Sequence, residues 1–238
     1  MPDSAQTPRQ RYRAQVQDEI KQAALDQIAE GGTGALSLNA IAKSMGVSGP
    51  ALYKYFRNRD DLLTALIEDG YGDVAAAVRG AAEGAAQLPA RARLHALAEA
   101  YRAWALGQPH RYLLLAGTPS AGYQAPPHTV DSARAVLGPF LAVLGAGRPW
   151  PAAEALHGGL RRWVEETPAV GAWVHEHAPQ ADPVPVLAAV LVLWSRLHGV
   201  VSLEVEGHYQ GMGHDPGALL AVEMDALADA LGLAPVAR

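Results

Sequence analysis

No cysteine occurs anywhere in this chain of 238 residues, so disulfides, thiolate metal sites and a cysteine nucleophile are excluded. Long uncharged apolar runs are missing too. The most apolar stretch, 184–203, is interrupted by Arg196 and His198, and its uncharged portion, 183–195, is shorter than the ~20 residues a membrane span needs. Residues 112–130 carry no charge, but Gly117, Pro119, Gly122, Pro126 and Pro127 break them into a loop. The first eight residues are polar and hold no apolar signal-peptide core. Enzyme motifs are absent from the sequence: it has no Gly-rich phosphate loop following a strand, no Gly-x-Ser-x-Gly elbow and no His-Glu-x-x-His pair. His175 and His177 flank Glu176, yet a spacing of two puts the histidines on different faces of a helix, which weakens a zinc reading. The expectation is a soluble cytoplasmic protein that is not an enzyme, needs no cofactor and has no membrane partner.

A strongly basic balance is also lacking, since the net charge is −5. Its distribution is uneven. Residues 1–60 hold eight Lys/Arg and six Asp/Glu, net +2, and the remaining 178 hold eleven and eighteen, net −7. Arg9, Arg11 and Arg13 cluster near the start, and Lys54, Arg57 and Arg59 cluster around residue 56. A small basic end on an acidic body fits a nucleic-acid partner.

Periodicity says which end touches DNA. Leu38, Ile41, Ala42 and Met45 recur at i, i+3, i+4 and i+7, one buried stripe of a short helix. Ser37 precedes it as an N-cap, and Gly46 ends it with the left-handed freedom a tight turn needs. Val47 then plugs the core, Ser48 caps a second helix, and Pro50 is tolerated in its first turn. That helix buries Leu52 and Phe56 and leaves Tyr53, Lys54 and Tyr55 for another surface. Helix, short turn, helix is the helix-turn-helix arrangement.

The same residues resemble the DNA-binding domain of the tetracycline-repressor (TetR) family. The match runs through Ser37, Ile41-Ala42, Gly46-Val47-Ser48, Leu52-Tyr53, Phe56, Asn58-Arg59 and Asp60-Asp61-Leu62-Leu63, within roughly residues 15–67, about a quarter of the chain. Gly49 stands where members often carry a basic or polar residue, and Tyr55 where His is common. Downstream, Trp194-Ser195-Arg196-Leu197-His198-Gly199 is similar to the Trp…His-Gly signature of one C-terminal domain type of the family.

The remaining elements also read as helices: 14–30, stopped by Gly31, Gly32 and Gly34; one from Asn58, acting as N-cap, toward Arg79; then 91–106, 109–115, 130–144 bent or interrupted at Gly138-Pro139, 154–166, 184–206 and 216–231. Residues 80–89 read as a connector, and 168–179 are not assigned. No window alternates with period two for long enough to need a sheet. The expected fold is all-α: a flexible basic arm over 1–13, a three-helix helix-turn-helix head over 14–60, and a larger helical ligand-binding and dimerisation domain over 61–238.

From resemblance and residue chemistry together, Tyr53, Lys54, Ser37, Ser48 and Arg59 are expected at DNA phosphates, with Tyr55 nearby. Asn39 can pair with adenine, and Gly49 and Pro50 can approach bases closely. The family resemblance implies a homodimer on double-stranded operator DNA, with a small hydrophobic or aromatic effector that releases it. Pocket candidates are Tyr101, Trp104, Tyr112, Leu113, Tyr123, Trp163, Trp173 and His198. Dimer candidates are Leu187, Val190, Leu191, Trp194, Leu219, Val222 and Leu227. Two rivals stand beside a ligand-released repressor. One is a DNA-binding activator or architectural protein needing no ligand. The other is an apolar-ligand-binding protein without DNA binding.

Overall fold

Every regular element among the described residues is helical, as the 3.6-residue spacing of the apolar positions requires. The computed structural model describes residues 7–117, 123–126 and 129–234. In chain order the helices are α1 (Pro8–Gly31), α2 (Leu38–Ser44), α3 (Gly49–Leu52), α4 (Arg59–Gly84), α5 (Ala90–Gly107), α6 (Pro109–Ala116), α7 (Thr129–Leu144), α8 (Glu154–Glu166), α9 (Pro168–His177), α10 (Pro183–Val205) and α11 (Pro216–Ala230). Short 3-10 turns occupy Thr33–Ala35 and Pro151–Ala153.

The chain forms two compact units: Met1–Gly70 with His110–Pro127, and Tyr71–Pro109 with His128–Arg238. A division at 60/61 was expected from the sequence, but α4 starts there. Its first turns bury Leu62, Leu63, Leu66 and Ile67, and α6 packs Leu115 against Gly70, where a Cβ would meet the leucine side chain at 3.3 Å.

In the first unit, α1 buries Ile20, Ala24 and Ile28, and α2 buries Leu38, Ile41 and Ala42. Leu52 and Phe56 complete the core, each such side chain contributing roughly 1.5–3 kcal/mol by leaving water. The helix ends are stopped as the sequence suggested. Ser37 Oγ accepts from Ala40 N–H, Gly46 sits at φ 68°, and Asn58 Oδ1 accepts from Asp61 N–H at 2.8 Å.

Three expectations need correction here. The arm is not extended over residues 8–13. Thr7 Oγ1 accepts from Gln10 N–H and Gln10 Oε1 accepts from Thr7 N–H at 2.8 Å, a reciprocal capping box with Pro8 at the first helical position. Arg9, Arg11 and Arg13 therefore lie on α1, and residues 1–6 lie outside the described residues. Val47 does not plug the core, since it is 42% exposed. The regular part of the recognition helix closes at Leu52, and residues 53–55 continue it as overlapping turns, Tyr53 N–H to Gly49 O and Tyr55 N–H to Leu52 O.

In the second unit α10 is the central element, packed by α8, α11, α7, α5 and α9. By length and composition α10 can cross a bilayer; half of its most apolar window is buried inside the protein. Asp182 and Asp215 cap α10 and α11 through their side chains, each followed by proline at the helix start. Helix α7 continues through Pro139 without interruption. Gly138 packs closely there: a Cβ would stand 2.5 Å from His177 Nε2 of α9, so a larger residue would displace that imidazole. The expected connector over 80–89 is shorter, since α4 runs to Gly84, and the unassigned stretch after 167 forms α9.

Candidate nucleic-acid interface and ligand cleft

Helices α2 and α3 hold the polar surface that faces away from the head core. Asn39, Ser48, Pro50, Tyr53 and Lys54 are exposed, and Tyr53 is 45% accessible although its ring is large and apolar. The Ser48 hydroxyl makes no cap bond, unlike Ser37. Asn39 Oδ1 lies 3.5 Å from the position a Cβ on Gly49 would take, so the base-reading candidate of α2 adjoins the start of α3. These groups form one surface of hydroxyl, amide and ammonium chemistry, as a groove with phosphate walls requires.

Ser37 and Gly49 are half-buried beside that surface. Tyr55 is half-buried too, because the Arg13 guanidinium sits 5.6 Å from its ring centre and donates to Lys54 O at 3.2 Å. Arg13 thus clamps the end of the recognition segment from α1, a role that only the tertiary contact reveals. Arg59 differs from expectation in a similar way. Its Nη2 donates to Thr33 O at 2.5 Å and its Nη1 lies 3.6 Å from Asp60, so it braces the start of α4 against the turn after α1. Arg57 is held by Asp61, whose carboxyl is pulled below its ordinary range by that guanidinium and by Arg57 N–H.

The second unit contains a cleft of about 810 Å³ between α4, α5, α7 and α9, a size suited to a drug-like ligand. Its walls are Ala82, Ala135, Ala142, Ala169, Ala172 and Pro139; Arg79, Arg93, Arg134, Asp131, Glu176, His177 and Trp173 supply the polar groups. Arg134 pairs with Asp131 at 3.1 Å and lies 6.0 Å from the Trp173 ring centre.

Of the eight pocket candidates, Trp173 alone lines this cleft. Leu113 lines a separate cavity of about 380 Å³ in the first unit, with Ile28, Thr33 and His110. Tyr112 is fully buried, and Tyr123 shares a 2.9 Å hydrogen bond with Thr64. Tyr101 is buried with its ring edge-on to Trp194 at 5.9 Å, and Trp194 stacks on His198 at 5.4 Å. Burial holds the His198 imidazole below its ordinary titration range against the pull of Glu206. Trp104 is half-buried and Trp163 is 41% exposed. The candidates separate because aromatic identity marks size and not direction. Arg79 and Arg93 were missed because they belong to different helices, α4 and α5, and line one cleft only once those helices fold back on each other.

Among the dimer candidates, Leu187, Val190 and Leu227 are buried in the core of their own unit. They are corrected to intramolecular packing: α10 is apolar on nearly every face, so its sequence cannot separate an inner face from an outer one. Leu191 and Val222 are exposed, and Trp194 and Leu219 are half-buried.

Comparison with known proteins agrees with this layout. Residues 20–66 match a family model described as bacterial regulatory proteins of the tetR family, and residues 94–227 match one described as a tetracyclin repressor-like C-terminal domain. The HTH-type transcriptional regulator Rv1816 of Mycobacterium tuberculosis is 33% identical over 213 residues, which span 87% of this chain and 88% of that protein. The crystallised regulatory protein SCO4313 is 42% identical, with a TM-score of 0.76 over 94% of this chain and all of the other. The fold alone is shared with the transcriptional regulator FadR of Bacillus subtilis, crystallised with stearoyl-CoA, at 19% identity and a TM-score of 0.55 over 90% of this chain and 98% of that one. The chain belongs to the tetracycline-repressor (TetR) family of helix-turn-helix transcriptional regulators.

Proposed function

We propose that the protein is a homodimeric repressor that holds a palindromic operator and leaves it when a small molecule occupies the cleft of the second unit. The observation that carries the reading is the single exposed surface of Asn39, Ser48, Pro50, Tyr53 and Lys54. Tyr53 and Lys54 bind phosphates there, Asn39 reads an adenine edge, and Ser37, Gly49, Tyr55 and Arg59 shape and brace the surface. Since Gly49 and Pro50 offer no hydrogen-bonding side chain, part of the specificity comes from DNA shape.

Two recognition segments on one operator require two chains. Leu191, Trp194, Leu219 and Val222 supply exposed or half-exposed apolar surface on α10 and α11 for that pairing. Release needs a ligand that binds the DNA-incompetent state better than the DNA-bound one. Helix α4 carries both Arg59 in the first unit and Arg79 in the second, so a ligand acting on its later turns biases the helix that starts in the head. FadR of Bacillus subtilis was crystallised with stearoyl-CoA, which supports an effector with a large apolar part. The site of action is then the cytoplasm, beside the DNA. The cleft favours a ligand-released regulator over one that needs no ligand.

The test is selection from random-sequence duplex DNA with the full-length protein, with the Tyr53→Ala/Lys54→Ala double variant alongside. Enrichment of a palindrome that the variant fails to enrich is the expected result. No enrichment by the wild-type protein overturns the reading.

A further inference from the structure

Several arginines of the second unit are paired with carboxylates. Arg91 bonds Asp225 and Asp229, Arg102 bonds Glu204 and Glu99, Arg134 bonds Asp131, and Arg196 lies 3.5 Å from Glu223. Arg79 and Arg93, both on the wall of the cleft, have no ion pair or hydrogen bond among the described residues. For Arg79, on the exposed rim, that is ordinary. For Arg93 it is not: the residue is only part-exposed and its Nε is fully buried without a partner. A second buried donor, Trp173 Nε1, also lacks a partner in the same cleft.

Both orphans are donors with no acceptor capacity, since guanidinium and indole N–H can only give hydrogen bonds. The cleft holds three guanidinium groups against two carboxylates, and one carboxylate, Asp131, is already engaged by Arg134. Much of the remaining wall is alanine. A group that accepts several hydrogen bonds and carries negative charge satisfies Arg93 and Trp173 and neutralises the unpaired cations. An uncharged hydrocarbon or aromatic ligand leaves them unsatisfied.

We propose that the effector of this cleft is an amphipathic organic anion: a carboxylate, sulfonate or phosphate head bound by Arg93 and Arg79, and a flat or flexible apolar body lying along the alanine walls beside Trp173. This deepens the proposal of a ligand-released regulator and rests on it.

The test uses the full-length protein and two fluorescent probes of matched shape, 8-anilino-1-naphthalenesulfonate and its uncharged counterpart N-phenyl-1-naphthylamine. The wild-type protein is expected to bind the sulfonate at least about tenfold more tightly than the neutral probe, about 1.4 kcal/mol. Arg93→Met removes that preference while leaving the neutral probe within about twofold, and Arg93→Lys keeps most of it because the charge remains. Displacement by octanoate and by octyl phosphate then ranks the two head groups. Equal affinity for the two probes, or a sulfonate affinity unchanged in Arg93→Met, overturns the proposal. Arg79→Met takes the place of Arg93→Met if the latter loses its helical circular dichroism. Operator binding measured on the same preparations separates the two readings. A protein that binds its operator but shows no anion preference is a regulator with a different effector. One that prefers the anion but enriches no DNA sequence overturns the regulator reading instead.

Discussion

Arg59 donates from Nη2 to the carbonyl oxygen of Thr33 at 2.5 Å, joining positions 26 apart in the sequence. The bond fixes the first turn of α4 to the 3-10 turn that follows α1, so a residue that reads as a DNA contact is also a brace of the head. Charge-assisted hydrogen bonds of this kind contribute roughly 1.5–3 kcal/mol. Arg59→Ala is therefore expected to lower the melting temperature by several degrees, and Arg59→Lys to recover only part of the loss. Circular dichroism melts check this. An Arg59→Ala variant that melts like the wild type but fails on DNA would falsify the bracing role and leave a phosphate contact alone.

Lys54 behaves differently, because it is exposed and only its backbone is engaged, the oxygen by Arg13 and the N–H by Ala51 O. Lys54→Ala should leave the melting temperature within about one degree, since surface changes usually cost under ~0.5 kcal/mol. Its effect appears in DNA binding at several salt concentrations: the slope of log affinity against log salt becomes shallower by about 1.8 for the proposed dimer, one phosphate contact of about 0.9 from each chain. An unchanged slope removes Lys54 from the interface.

Arg91 is nearly buried and bonds the Asp225 carboxylate at 3.0 Å, Asp229, and the Leu233 carbonyl at 3.1 Å. It ties α5 to the end of α11 within the second unit. Arg91→Met leaves that carbonyl without its donor and is expected to cost about 1–3 kcal/mol, the range for one buried group left unsatisfied. Hydrogen exchange should show the last turns of α11 opening first. Asp225 is held below its ordinary carboxylate range, first by His95 and then by Arg91. Its contribution is intact above pH ~4, the unfolded value, and fades as pH falls through the folded one. Denaturant midpoints from pH 5 to 3 should decline less steeply in Asp225→Asn.

His198 gives a second, separate pH window. Burial lowers its folded titration point below the unfolded 6.5, so the unfolded chain takes up the proton first as pH drops. Stability from this group is intact above pH ~6.5 and is lost progressively as pH falls toward the folded value. Denaturant midpoints at pH 7.5 and 5.5 should differ more in the wild type than in His198→Gln. Equal differences rule out His198 as the source.

Some of this was legible in the residues. The α2 stripe, the Ser37 and Asn58 caps and the left-handed Gly46 turn follow from spacing and side-chain chemistry within a few positions, where local physics dominates. The α8 bounds and the long helices α10 and α11 are legible for the same reason. The start of α1 was missed although Thr7-Pro8-Arg9-Gln10 carries a capping-box signature, because the polar residues that follow show no apolar stripe before Val16. The exposure of Val47 was missed because an apolar residue in a turn has no periodicity to say which way it faces. At the candidate site, the exposure of Tyr53 and Lys54 was readable from their place in the motif. Arg13, Arg79 and Arg93 were not, since their neighbours come from other helices.

The amino-acid sequence by itself determined the class of this protein: all-helical, without disulfides, with a helix-turn-helix near its start. Those properties depend on composition and on contacts within about one or two helical turns. The tertiary structure alone decided which arginines pair with carboxylates and which line the cleft with no partner among the described residues. It also decided which leucines of α10 face inward, and that Trp173, not Tyr101 or Trp104, shares the cleft with Arg93. Partnering and burial depend on residues brought together from distant positions, and no local pattern encodes which helix will supply the neighbour.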